Sequence, residues 1–115
     1  MAFLDILSGP ARGGRFRLDR RRVMIGRDLS CALRIPDGRI SRRHLQIVYD
    51  RLRHVHFALD IESANGVTVN GSRLVRGAER LLDDGDEIRI GRSSLQYTRG
   101  GTDAEGSEDG DRQQE

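Results

Sequence analysis

The sequence predicts an all-β domain, a sandwich or a barrel, and three observations carry the prediction. Apolar residues recur with a period of two in short runs. Turn formers separate those runs at intervals of about 8 to 12 residues. Nowhere does an apolar stripe at helical spacing persist for three turns, and no internal repeat points to a solenoid or propeller.

In chain order, Leu4 and Ile6 form the first alternation, which stops at the turn signal Ser8-Gly9-Pro10. Phe16 and Leu18 follow Gly13-Gly14, and Val23 with Ile25 runs into Gly26. Leu45, Ile47 and Tyr49 give the next strand. The clearest run is His54 to Ile61, in which Val55, Phe57, Leu59 and Ile61 are expected to face the core, with His54 and His56 on a polar outer face. Val67 and Val69 lie between two Asn-Gly turns. Ile88 and Ile90 sit between Asp84-Gly85 and Gly91, and Leu95 with Tyr97 closes the series.

The 115 residues, 36% hydrophobic and 33% charged, suffice for one modest core without staples. Cys31 is the single cysteine, so no internal disulfide is available and the expected setting is reducing and cytoplasmic. No apolar run approaches the ~18 residues of a membrane span, and the opening Met-Ala-Phe-Leu-Asp has no basic leader, so no membrane role is expected. All twenty Lys+Arg residues are arginine, whose planar fork grips carboxylates and phosphates. The formal charge of +2 hides a split: residues 1–98 hold 18 arginines against 12 acids, and residues 99–115 hold two against six. Residues 1–98 therefore read as one domain. Residues 99–115 read as an acidic tail, expected to be disordered because its only apolar residue is Ala104.

If the strands are scaffold, function falls to the loops. Three loop clusters stand out: Gly26-Arg27-Asp28 at a strand end, Ser41-Arg42-Arg43-His44 just before the next strand, and Glu62-Ser63-Ala64-Asn65-Gly66 followed closely by Asn70-Gly71. In this order and spacing they resemble the forkhead-associated (FHA) domain, over roughly Phe3 to Thr98. Cys31 to Asp37 also looks like that family's short strand and turn. The resemblance implies a β-sandwich of about eleven short strands in two sheets. It also implies a non-catalytic module that binds phosphothreonine peptides through apical loops, with no metal or cofactor. Arg27, Ser41 and Arg42 would hold the phosphate, Asn65 the peptide main chain, and His44 would brace the loops from within. Gly26, Gly66, Asn70 and Gly71 read as turn formers needing positive φ. The implied partner is a threonine-phosphorylated protein, with a Ser/Thr kinase upstream.

The chemistry agrees. A phosphate monoester carries ~1.5 to 2 negative charges and three acceptor oxygens, so its reader needs guanidinium charge and neutral donors converging from separate loops. Arg27 and Arg42 supply charge and Ser41 a compact hydroxyl. Asn65 offers a donor and an acceptor together, which suits an extended peptide backbone. Arg43 reads as a solvated neighbour. One position departs from the family pattern: Ala64 stands where threonine or serine usually precedes the Asn-Gly, which removes a hydroxyl near the phosphate. Ser63, one residue earlier, is expected to point the other way.

Other functions find less support. Hydrolase elbows, phosphate loops and zinc-protease motifs are absent. His54 and His56 lack a recognisable third metal ligand. Asp83-Asp84-Gly85-Asp86 reads as a hairpin turn and not a calcium loop. The arginine-rich body leaves an alternative as a nucleic-acid binder, against which stand five aromatics and no stacking run. Phospho-independent assembly through the same surface is the alternative within the family. Thr102, followed three residues later by Glu105, is a candidate ligand in cis if phosphorylated.

Overall fold

A computed structural model describes residues 1–61 and 63–100. Among these residues eleven strands form two sheets. They are β1 (Ala2–Ser8), β2 (Arg15–Arg17), β3 (Arg22–Gly26), β4 (Leu33–Arg34), β5 (Leu45–Asp50), β6 (Val55–Asp60), β7 (Val67–Val69), β8 (Ser72–Arg73), β9 (Arg80–Leu81), β10 (Glu87–Ile90) and β11 (Ser93–Arg99). One sheet has the order β2-β1-β11-β10-β7-β8 and the other β4-β3-β5-β6-β9. Every pairing is antiparallel except β3 with β4.

Between the sheets the inward positions interdigitate. Leu4, Ile6, Leu95, Tyr97, Ile88, Ile90, Val67 and Val69 come from the first sheet, and Val23, Ile25, Leu45, Ile47 and Ala58 from the second. Burying each large aliphatic side chain stabilises the fold by about 1.5 to 3 kcal/mol. β7 and β8 are joined by Asn70-Gly71, both at positive φ (51° and 83°), the conformation of a type I′ hairpin turn whose twist matches its strands. The Asn70 side chain reinforces it, donating to Asp86 and accepting the Glu87 N–H, each at 2.9 Å.

β6 turns opposite to expectation. Cross-strand partners share a face, and the register pairs Ile47 with Ala58 and Leu45 with Asp60. His56, Ala58 and Asp60 therefore point into the sandwich. Val55, Phe57 and Leu59 lie on the outer face, where the Arg53 guanidinium covers the Phe57 ring at 4.8 Å. Polar residues are tolerated inside because each is satisfied: His56 Nδ1 shares a 2.6 Å hydrogen bond with the Tyr97 hydroxyl, and Asp60 accepts the Ser63 N–H at 3.0 Å. His54 is not on the strand at all. It occupies the preceding turn at φ 55° and shares a 3.0 Å bond with the Tyr49 hydroxyl, so the two histidines do not form a common exposed face.

The acidic turn at Asp83 to Asp86 is a tight turn, but it joins β9 to β10 across the two sheets and so is not a hairpin. Arg99 belongs to β11, pairing with Ala2, and Gly100 N–H donates to the Met1 carbonyl at 2.5 Å. The rest of the expected tail, Thr102 included, lies outside the described residues.

Candidate functional site

Three of the connecting segments meet at one pole of the sandwich: residues 27–32 after β3, 35–44 before β5, and the segment after β6 that carries Ser63 to Gly66. The meeting is close because Gly26 has no side chain. A Cβ there would run into the Arg42 carbonyl. Gly26 is not at positive φ, contrary to expectation, so its requirement is space and not a left-handed backbone. The approach allows Arg27 N–H to donate to the Ser41 carbonyl at 3.1 Å and Asp28 N–H to the Arg42 carbonyl at 3.2 Å. Cys31, buried two residues before β4, adds its S–H to the same Arg42 carbonyl at 3.1 Å.

His44, fully buried, joins two of these segments through both ring nitrogens. Nδ1 accepts the Ser41 N–H at 2.9 Å, which leaves Nε2 to donate to the Gly66 carbonyl at 2.8 Å. Gly66 presents that carbonyl at φ 84°, and its own N–H is taken by Ser63 Oγ at 3.0 Å. Ser63 is buried and turned inward, whereas Ala64 and Asn65 are exposed. The Ser41 hydroxyl oxygen accepts the Ala64 N–H at 2.9 Å, so its proton is available for an external acceptor. Asn65 Nδ2 donates to the Arg39 carbonyl at 2.8 Å, fixing the amide plane.

Arg27 is exposed, yet its Nε donates to the Ile40 carbonyl at 3.0 Å. That bond anchors the side chain, and among the described residues neither terminal nitrogen has a hydrogen-bond partner. Arg42 and Arg43 are exposed on the neighbouring turn. Hydrogen bonds from the Ser30 hydroxyl and N–H, with smaller help from the charges of Arg42 and Arg43, hold the Asp28 carboxyl below its usual range. Of the expected site residues, Arg27, Ser41, Arg42 and Asn65 thus come from adjoining loops of one pole, with Gly26, His44 and Gly66 beneath them. Asn70 and Gly71 instead shape the β7–β8 hairpin.

Two features of this pole escape a reading of the sequence. Asp37, a plain turn residue in Pro36-Asp37-Gly38, is buried and accepts the Arg39 and Arg92 N–H groups and the Ser93 hydroxyl at 2.9, 2.8 and 3.2 Å. Burial alone would raise its pKa, but these donors together bring it below the usual carboxylate value. It ties the loop that carries Ser41 to the β10–β11 turn. The second feature is a cleft of about 310 Å³ beside Asn65, lined in part by Arg39, Arg73 and Arg89. The Arg73 guanidinium packs on Gly66 where a side chain would otherwise sit. Among twenty arginines the sequence offers no sign that these three converge; only Arg39, two residues before Ser41, is near a motif.

Comparison with known proteins follows the same lines. The family described as the FHA domain matches residues 23–91. The FHA domain-containing protein FhaA of Mycobacterium tuberculosis is 39% identical over 83 residues, which is 72% of this chain and 15% of that protein. The oxoglutarate dehydrogenase inhibitor of Corynebacterium glutamicum is 35% identical over 100 residues, 86% of this chain and 66% of the inhibitor. A structure from work on phosphothreonine-dependent FHA domain interactions superposes with a TM-score of 0.77 at 34% identity, covering 88% of this chain and 98% of the other.

Proposed function

The chain belongs to the FHA domain family, and from that premise we propose that it is a non-catalytic module that binds phosphothreonine peptides at the pole described above. The observation that carries this reading is the joint presentation of Arg27 and Ser41. A guanidinium held by its Nε and a hydroxyl held by its oxygen stand on two loops that the Arg27 N–H clasps together.

The phosphate meets the Arg27 fork and the Arg42 charge, and Ser41 donates one neutral hydrogen bond. Asn65, with its amide plane already fixed, receives the peptide main chain beside the phosphothreonine. His44 touches no ligand and acts by holding residues 41 and 66 in register. The arginines lining the neighbouring cleft favour peptides with acidic residues close to the phosphothreonine. The partner is a threonine-phosphorylated protein, with a Ser/Thr kinase upstream in a cytoplasmic setting. Among the described residues no helix is long and apolar enough to cross a membrane.

Fluorescence polarisation against a phosphothreonine peptide library and its unphosphorylated copies tests the reading. Phosphorylated peptides should bind and their copies should not. Arg27→Ala should weaken binding by about 2 to 5 kcal/mol, thirty-fold or more, while amide spectra show an intact fold. Equal binding of both libraries would establish phospho-independent assembly instead, and a steep salt dependence indifferent to phosphorylation would establish nucleic-acid binding.

A further inference from the structure

The opposite pole of the sandwich holds a second cleft, independent of the site above. β5 separates the two, running from Leu45 beside His44 to Asp50 beside Arg51, about 20 Å of extended chain. The cleft has a volume of about 610 Å³. Part of its lining is aromatic: the Tyr49 and His56 rings lie 4.8 Å apart between centroids, tilted by 45°, and His56 leans edge-on against Tyr97. Its rim is cationic. Arg20, Arg21, Arg51 and Arg99 all line it, with Asp19 as the one acidic lining residue. The ion pairs among the described residues are Arg15 with Asp5 and Arg53 with Asp50, so no rim guanidinium is ion-paired there. Arg99 is the most engaged of the four: its backbone N–H donates to the Asp84 carboxylate at 2.6 Å and its guanidinium to the Leu82 carbonyl at 3.3 Å.

The route of the chain supplies the second observation. Arg99 lines the cleft and Gly100 is hydrogen-bonded to Met1, another lining residue. The residues that follow, 101–115, carry six carboxylates against one arginine. A polyanionic stretch of sequence thus follows directly on a residue beside Arg20, Arg21 and Arg51, guanidiniums with no ion pair among the described residues, whose forks fit carboxylates two hydrogen bonds at a time.

We propose that this cleft is a binding site for an acidic peptide segment, and that its occupant is residues 101–115 of the same chain. A tether of a few residues gives an effective concentration on the order of millimolar, so weak individual ion pairs suffice. Holding the acidic segment here keeps it away from the arginines at the phosphopeptide pole, where it would compete with ligand.

Paramagnetic relaxation in the full chain tests the assignment. A nitroxide is placed through Ser107→Cys in a Cys31→Ala background, and amide signals are read on the ¹⁵N-labelled protein. The signals of Arg20, Arg21 and Arg51, remote from the label in sequence, should broaden, while those of Arg27, Ser41 and Asn65 stay sharp. The broadening should vanish when Arg20→Gln, Arg21→Gln and Arg51→Gln are combined. It should also vanish in wild-type rim at about 1 M salt, where the Debye length falls to about 3 Å; that arm decides if the triple variant loses its fold. Broadening centred on Arg27 and Ser41, broadening spread evenly over the surface, or broadening seen only between differently labelled molecules would overturn the proposal.

Discussion

The Ser41 hydroxyl oxygen accepts the backbone N–H of Ala64 at 2.9 Å, so the exposed side chain at position 64 stands one hydrogen bond away from the group read as a phosphate donor. The hydroxyl that the family pattern has at that position would stand beside the proposed phosphate donor. Ala64→Thr should strengthen phosphopeptide binding by about 1.5 kcal/mol, roughly ten-fold, the worth of one added hydrogen bond to a charged group. Fluorescence polarisation reads the change, and an unaltered affinity would mean that a side chain at 64 does not reach the phosphate.

His44→Phe keeps an aromatic ring, a somewhat larger one, but removes both ring hydrogen bonds, orphaning the Ser41 N–H and the Gly66 carbonyl. Each orphaned group costs about 1 to 3 kcal/mol, a large share of a total stability of about 5 to 15 kcal/mol. The urea midpoint should fall sharply and phosphopeptide affinity should fall with it. A stable variant with full affinity would show that the two loops hold their positions without the imidazole.

At Gly26 a single methyl is the probe. Gly26→Ala places carbon against the Arg42 carbonyl, which is backbone and cannot swing aside. Overpacking of this kind costs about 1 to 3 kcal/mol or more. The melting temperature should drop by about 4 to 8 °C per kcal/mol, and the amides of Arg27, Ser41 and Arg42 should shift most. Shifts elsewhere would sink the assignment of close loop contact as the reason for glycine.

Acid should destabilise the fold through His56. Burial, then the charges of Arg99 and of the N-terminus, push its pKa from 6.5 down to about 4. In that interval the unfolded chain binds a proton that the folded chain refuses. Stability is therefore complete above pH 6.5 and falls as the pH drops toward about 4, by up to about 3 kcal/mol and less where water in the open cleft screens the ring. Denaturation midpoints across that range measure it, and His56→Gln should flatten the slope.

The sites most legible in the sequence are those where one residue type has one backbone use. Asn70-Gly71 spells a type I′ turn, and the structure has one. The short strands β8 and β9 were not legible, because two residues carry no period. β6 shows a different limit. Alternation reveals two faces without saying which is inward, and here the bulkier apolar face lies outside because Arg53 and Leu81 cover it while Ala58 fits the narrow interior. That Arg27 and Ser41 lie on adjoining loops was readable from motif spacing. Asp37 was not, since its partners Arg92 and Ser93 lie 55 and 56 residues away, a distance no local pattern spans.

The anchoring of Arg27 by its Nε and of Asn65 by its Nδ2 bears on binding kinetics. A free arginine side chain surrenders about 2 kcal/mol of rotamer entropy when it is immobilised, and much of that freedom is already gone before any peptide arrives. Encounter then requires little search by the protein, and the ordering left to do is the peptide's own. Peptides of different sequence should consequently associate at similar rates and differ in how long they stay, so residence time is the quantity on which their discrimination rests.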